Sequence, residues 1–167
     1  MNRSLVIMGV SGCGKSSLAA AVAAAEQRLL IEGDEHHTER SREKMRAGVP
    51  LTDADRAGWL ARLADELRAH PEGCVLSCSA LRRSYREQLR AAAPGLRFAF
   101  LDITPAEAQA RVAARASHFF SPRLVDSQFA TLESPVGEPR VLRLDATAPL
   151  SELQAQVSAW LRTEEVA

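Results

Sequence analysis

The run Gly9-Val10-Ser11-Gly12-Cys13-Gly14-Lys15-Ser16 constrains this chain more than any other feature, because it satisfies the pattern G-x-x-x-x-G-K-[ST] in full. Glycines let backbone N–H groups turn inward around an anion, and a helix that starts at the lysine aims its positive dipole end at the same point. Such a loop works only between a strand and a helix, and both flanks are legible. Leu5 to Met8 is a short, continuous apolar run, the pattern of a strand buried on both faces, and the alanine-rich stretch Ser16 to Gln27 reads as helix. The anion cradle is therefore Gly9, Val10, Ser11, Gly12, Cys13, Gly14, Lys15, Ser16 and Ser17. Lys15 is placed to reach the β- and γ-phosphates of a nucleotide, and the Ser16 hydroxyl to ligate Mg²⁺.

The alternation continues downstream. Leu29–Glu32, Cys74–Cys78, Leu96–Leu101 and Val141–Leu144 read as further strands, separated by helical stretches. Thr52 to Ala69 opens on a Thr-x-x-Asp capping signal and sets Leu60, Leu63 and Leu67 on one face. Arg83 to Ala93 is stopped by Pro94-Gly95, and Thr104-Pro105-Ala106-Glu107 starts a helix that runs to about Arg115. Ser151 and Gln154 read as the cap of a last helix carrying Leu153, Val157, Trp160 and Leu161. This order predicts a three-layer α/β fold of the P-loop NTPase type, a five-stranded parallel sheet flanked by helices, with ligands at the carboxyl ends of the strands. Residues 1–167 are expected to form a single domain.

Bulk composition excludes other classes. Lysine and arginine number 21 and so do aspartate and glutamate, so the chain lacks the basic surplus of a nucleic-acid binder. The three cysteines, Cys13, Cys74 and Cys78, make no metal-ligand spacing with the histidines, and an odd count does not suit a disulfide framework. Free thiols, no apolar run long enough to cross a bilayer and no signal peptide lead to the expectation of a cytoplasmic protein without membrane partners.

A phosphate loop alone does not name a reaction. A GTPase would need an Asp-x-x-Gly after a strand and an Asn-Lys-x-Asp for guanine, and the chain has neither, which favours a kinase. Glu32-Gly33-Asp34 falls where the second strand ends. A carboxylate there can take the proton of an attacking hydroxyl, and another can support Mg²⁺; Asp34 is the candidate base and Glu32, with Ser16, the candidate metal ligand. An ordinary solvated acidic turn would look the same in sequence. Arg111 and Arg115 share a helix face at i, i+4.

Together these segments resemble the gluconate kinase family along nearly the whole chain. The matching runs are Met8 to Ser16; Gly33, Asp34 and His37; Lys44 to Arg56; Trp59 and Leu60; Cys78 to Arg86; His118 and Phe119; and Ser127 to Pro135. Thr38, Ser41 and Gly58 depart from the family pattern. The resemblance implies ATP-dependent phosphorylation of D-gluconate at its 6-hydroxyl, with ATP and Mg²⁺ as cofactors, and a sheet architecture like that of nucleoside monophosphate and shikimate kinases. It also implies a short arginine-bearing lid over about residues 112–126, in which Arg111 and Arg115 bind ATP, Arg115 assists transfer and Arg123 is a weaker participant. A carboxylate on a chain of hydroxyls needs an arginine fork and neutral partners; the matching motifs offer Arg56, Arg82 and Arg86 as forks, and Asp34, His37, His118 and Gln128 beside them. A homodimer is common among such proteins. The competing readings are a related kinase for shikimate or a nucleoside monophosphate, and a nucleotide-dependent switch module without phosphotransfer. The shikimate kinases carry a glycine run where this chain has Cys78-Ser79-Ala80-Leu81-Arg82.

Replacing Lys15 with alanine is expected to lower turnover by orders of magnitude with the far-ultraviolet circular dichroism unchanged; full activity in that variant would remove the phosphate-loop assignment.

Overall fold

The computed structural model describes residues 3–114 and 123–163. Five parallel strands lie in the order β2-β3-β1-β4-β5: β1 (Leu5–Met8), β2 (Leu29–Glu32), β3 (Cys74–Ser77), β4 (Arg97–Asp102) and β5 (Val141–Asp145). Around them are α1 (Lys15–Glu26), α2 (Glu39–Arg46), α3 (Asp53–Ala69), α4 (Arg83–Ala92), α5 (Pro105–Ala114), α6 (Arg123–Thr131) and α7 (Leu150–Leu161). The expected architecture and all five strands are present, with ends shifted by a residue or two.

β1 shows why the sheet must be covered twice. All four of its residues are fully buried, and they alternate between two cores. Leu5 and Ile7 join Leu18, Val22, Val112, Leu153 and Val157 on the face of α1, α5 and α7. Val6 and Met8 join Trp59, Leu60, Leu63, Leu67, Tyr85 and Leu89 on the face of α3 and α4. A strand apolar at every position has no face left for water, which is the parallel-sheet signature read from the sequence.

Caps fix where the helices begin. Thr52 and Asp55 form a reciprocal capping box, and the Lys44 ammonium adds a 2.8 Å bond to Asp55, tying α2 to α3. Hydrogen bonds from Lys44 and then from the Thr52 backbone hold the Asp55 carboxyl down at about 2. The start of α2 was hidden in a stretch that reads as merely polar; Thr38 caps it by accepting from the Ser41 amide, so this departure from the family pattern supplies a cap. α6 was hidden likewise behind Pro122. The last helix is capped at Pro149, two residues before the Ser151 cap read from the sequence, and the Pro149 carbonyl accepts from the Leu153 amide. Gly58, on α3, has no atom within 4 Å of where a Cβ would stand, so the departure there leaves the helix intact.

Arg86 has an internal function that its motif does not reveal. Its side chain is fully buried, donating to both oxygens of Glu138 at 2.9 and 2.7 Å and to the carbonyls of Ala80 and Glu133 at 2.7 and 2.9 Å. Arg90 reaches the same carboxylate at 2.9 Å. Burial alone would raise the Glu138 carboxyl; the bonds from Arg86 and Arg90 outweigh it and hold it below the usual range. The Ala80 backbone is left-handed (φ 46°), a costly state for a residue with a Cβ, and the Arg86 bond to its carbonyl helps fix the turn after β3. The expectation that Arg86 binds substrate is therefore corrected: the side chain is fully buried and all three of its nitrogens are bonded within the protein.

Glu138→Ala strands a buried guanidinium and should destabilise the protein by about 3–5 kcal/mol in urea unfolding; a loss of less than about 1 kcal/mol would show that the pair does not hold the fold.

Candidate active site

The carboxyl ends of β1, β2 and β3 converge on one cleft. After β1 the chain enters the phosphate loop, whose Gly12 has φ 85° and no space for a Cβ, which would lie 2.9 Å from the Ala108 carbonyl. α1 starts at Lys15, so its first amides open toward the loop's centre. The Lys15 ammonium donates to the Val10 carbonyl at 3.2 Å. Cys13 is packed beneath the loop, and burial pushes its thiol up, so it stays neutral beside the anion cradle.

The acidic turn after β2 is held from three sides. Glu32 pairs in register with Ser77 of β3, whose hydroxyl donates to the Glu32 carboxylate at 2.6 Å, while the Ser16 hydroxyl donates to the same oxygen at 3.0 Å. Gly33 passes so close to β3 that a Cβ would lie 2.2 Å from the Ser77 carbonyl, which explains the glycine between the two acids. The Gly33 carbonyl accepts from the Trp59 indole at 2.7 Å. Trp59 in turn stacks on the His37 ring, centroids 4.3 Å apart. The turn is thus rigid, and Asp34 projects from it with about half its side chain exposed.

Lys15, Asp34, His37, Arg56 and Gln128 line one cavity together with Ser11, Met45, Pro50, Leu51, Trp59, Ser79, Leu124 and Ser127. It encloses about 530 Å³ of empty space, part of it open to solvent. Its electrostatics are uneven. Lys15 and Arg56 bring positive charge, and Asp34 brings a carboxylate. The His37 imidazole lies 3.9 Å from Asp34, yet burial, opposed only in part by that carboxylate, pushes it down to about 4. It is a neutral wall with a buried Nδ1 that has no partner among the described residues. Arg56 donates to the Tyr85 hydroxyl at 3.3 Å and packs over its ring, while Tyr85 donates to Asp53. Among the described residues no carboxylate lies within ion-pair distance of Arg56, so its charge faces the cavity uncompensated.

The other expected site residues divide. Arg82 sits outside the cavity lining, 3.8 Å from Asp53 at the start of α3, while Arg86 of the same motif is bound to Glu138. Arg111 touches the phosphate loop from behind, donating to the Gly12 and Cys13 carbonyls at 3.4 Å and to Ala146 at 3.0 Å. Gln128 bonds the Ser11 amide. Arg115, His118 and most of the expected lid lie outside the described residues. Two contributors have roles that their sequence context does not state. Ser77 is an ordinary strand residue until the strand order puts it beside Glu32, and Trp59 reads as core packing, which it is, while also carrying the Gly33 carbonyl.

For Mg²⁺ the donor set fits in chemistry. Glu32 and the Ser16 hydroxyl form an oxygen pair at the mouth of the loop, and the described residues hold no cluster of three His, Cys, Asp or Glu that would suit a softer metal. Mg²⁺ typically takes one or two protein oxygens and completes its shell with water and substrate phosphates.

Comparisons agree with the geometry. A family model described as an AAA domain matches residues 5–139. The gluconokinase of Gluconobacter oxydans is 46% identical over 145 residues, covering 85% of this chain and 82% of that protein. The thermosensitive gluconokinase of Escherichia coli is 37% identical, covering 92% and 84%. The crystal structure of a gluconokinase from Sinorhizobium meliloti superposes with a TM-score of 0.87 at 45% identity, covering 95% of this chain and 90% of that one. An unliganded sugar kinase from Janibacter gives 0.91 at 35% identity, covering 96% and 95%.

Burial of neutral His37 has a cost in acid. Below its unfolded value near 6.5 the unfolded chain takes up a proton that the folded one refuses until about 4, so stability is lost as pH falls through that window. The loss should reach about 3 kcal/mol at most, and His37→Phe, which keeps the stack on Trp59, should flatten the slope between pH 6.5 and 4 in denaturant titrations. An unchanged slope would assign it to other groups.

Proposed function

The chain belongs to the gluconokinase family of P-loop kinases, and from that premise we propose that it transfers the γ-phosphoryl group of ATP to the 6-hydroxyl of D-gluconate, giving 6-phospho-D-gluconate and ADP. The observation that carries this reading is the single cavity lined by Lys15, Asp34 and an Arg56 that has no carboxylate at ion-pair distance among the described residues. A sugar acid has the matching polarity, an alcohol to be phosphorylated and a carboxylate to be held. Arg56 is then the fork for the carboxylate, pre-aligned by Tyr85, which is itself oriented by Asp53. Neutral His37 offers a hydrogen bond to a hydroxyl without adding charge.

The reaction is direct displacement. The acceptor oxygen attacks the γ-phosphorus, the bond to the β–γ bridging oxygen breaks, and the hydroxyl proton passes to the Asp34 carboxylate. Lys15 exchanges its Val10 carbonyl for phosphate oxygens and offsets their charge. Glu32 and Ser16 are the residues that would hold Mg²⁺, which when bound neutralises charge on the β- and γ-phosphates. Arg111 keeps the loop in shape from behind, and Arg115 is assigned to the transferring group on the family resemblance. We read the whole chain as one kinase domain. No described helix is long and apolar enough to cross a membrane, and the three free, buried thiols support a reducing compartment such as the cytoplasm.

A coupled assay of ADP release with ATP and Mg²⁺ tests the proposal: gluconate should stimulate release at least a hundredfold over no acceptor, with shikimate, nucleoside monophosphates and uncharged sugars far behind. Asp34→Asn should lower kcat by about 10²–10⁴-fold with ATP affinity little changed. No acceptor-dependent release would leave a nucleotide switch, and an Asp34→Asn variant as active as the parent would show that the base lies elsewhere.

A further inference from the structure

One contact joins two cavity-lining residues that come from distant parts of the chain. The side-chain oxygen of Gln128, on α6, accepts from the backbone N–H of Ser11 at 2.6 Å, across 117 residues of sequence. Ser11 belongs to the phosphate loop, whereas Gln128 belongs to a helix that also sends Leu124 and Ser127 into the acceptor cavity. The loop is clasped on its other flank by α5, through Arg111 and the close approach of Gly12 to Ala108. The loop therefore sits between two successive helices, and Gln128 is the link that reaches into the cavity.

We infer that Gln128 is a positioning residue that couples nucleotide and acceptor binding, through its hydrogen bond to the Ser11 amide; this rests on the sugar-acid kinase reading above. A carboxamide has one accepting and one donating end. Anchoring Oε1 on the loop directs Nε2, which has no protein partner among the described residues, to the cavity as a donor. An oxygen of either ligand can take that donor. Any shift of Ser11 as phosphates settle into the loop moves Nε2, and an acceptor held by Nε2 in turn favours the loop position that holds Oε1. Coupling of this kind is reciprocal by linkage: whatever factor the nucleotide lends the acceptor, the acceptor lends the nucleotide.

Titration calorimetry tests this with the whole protein, measuring gluconate binding with and without a non-hydrolysable ATP analogue and Mg²⁺. The parent should bind gluconate about fivefold or more tightly when the analogue is present. In Gln128→Leu that ratio should collapse to within about twofold of one. The ratio separates coupling from any direct loss of affinity, which a merely structural role would produce without touching it. A folded Leu variant that keeps the parental ratio, or a parent without coupling, overturns the proposal. Should the Leu variant fail to fold, Gln128→Glu decides, since it keeps an oxygen for Ser11 and loses the donor: the ratio should collapse there too, and its survival overturns the role. A parent that binds no gluconate in either state would sink the acceptor assignment and this proposal with it, a result distinct from binding without coupling.

Discussion

Three strand ends meet at the Glu32 carboxylate. It closes β2, accepts from Ser77 at the end of β3, and accepts from Ser16 on the helix that β1 feeds through the phosphate loop. Parallel strands place their carboxyl ends on one edge of the sheet, but nothing in the sheet itself fixes the loops that leave it. The Glu32 bonds do so, and the surrounding features serve them: Gly33 permits the approach to β3, and Trp59 takes the Gly33 carbonyl. The consequence for chemistry is that Asp34 is carried on a rigid turn instead of a mobile loop. Positioning of that kind supplies much of the rate in phosphoryl transfer, where the protein does little covalent work.

Charge is distributed with the same economy. The chain is neutral overall, and its arginines divide between structural and available ones. Arg86 and Arg90 converge on buried Glu138, and Arg111 braces loop carbonyls. Arg56 alone among the described arginines lines the cavity. A fork already satisfied by a buried carboxylate cannot bind a ligand without a large desolvation cost, whereas one resting on a neutral phenol can. Family membership and this division point to the same class of acceptor.

Much of the fold was legible because its signals are local. The apolar run of β1, the Thr52 cap and the Pro94-Gly95 stop each state their element within a few residues. α2 and α6 were not legible, since both are short, and α2 gains helical stability from the Lys44–Asp55 pair, which no local pattern displays. The site divides in the same way. The phosphate loop and the acidic turn are contiguous motifs whose spacing is their chemistry. Arg86 sits in an equally good motif, yet its role is set by Glu138, which is 52 residues away and belongs to no motif. Ser77 is the converse, an unremarked residue given a function by strand order.

In the proposed reaction one cavity receives the triphosphate tail and the acceptor alcohol, with Asp34 beside the alcohol. A crystal structure with gluconate, Mg²⁺ and a non-hydrolysable ATP analogue measures this most directly. The 6-hydroxyl oxygen is expected within about 3 Å of the Asp34 carboxylate and in line with the terminal phosphorus, with the sugar-acid carboxylate on Arg56. Gluconate bound the other way round, or Asp34 turned out of the cavity with both ligands in place, would contradict it.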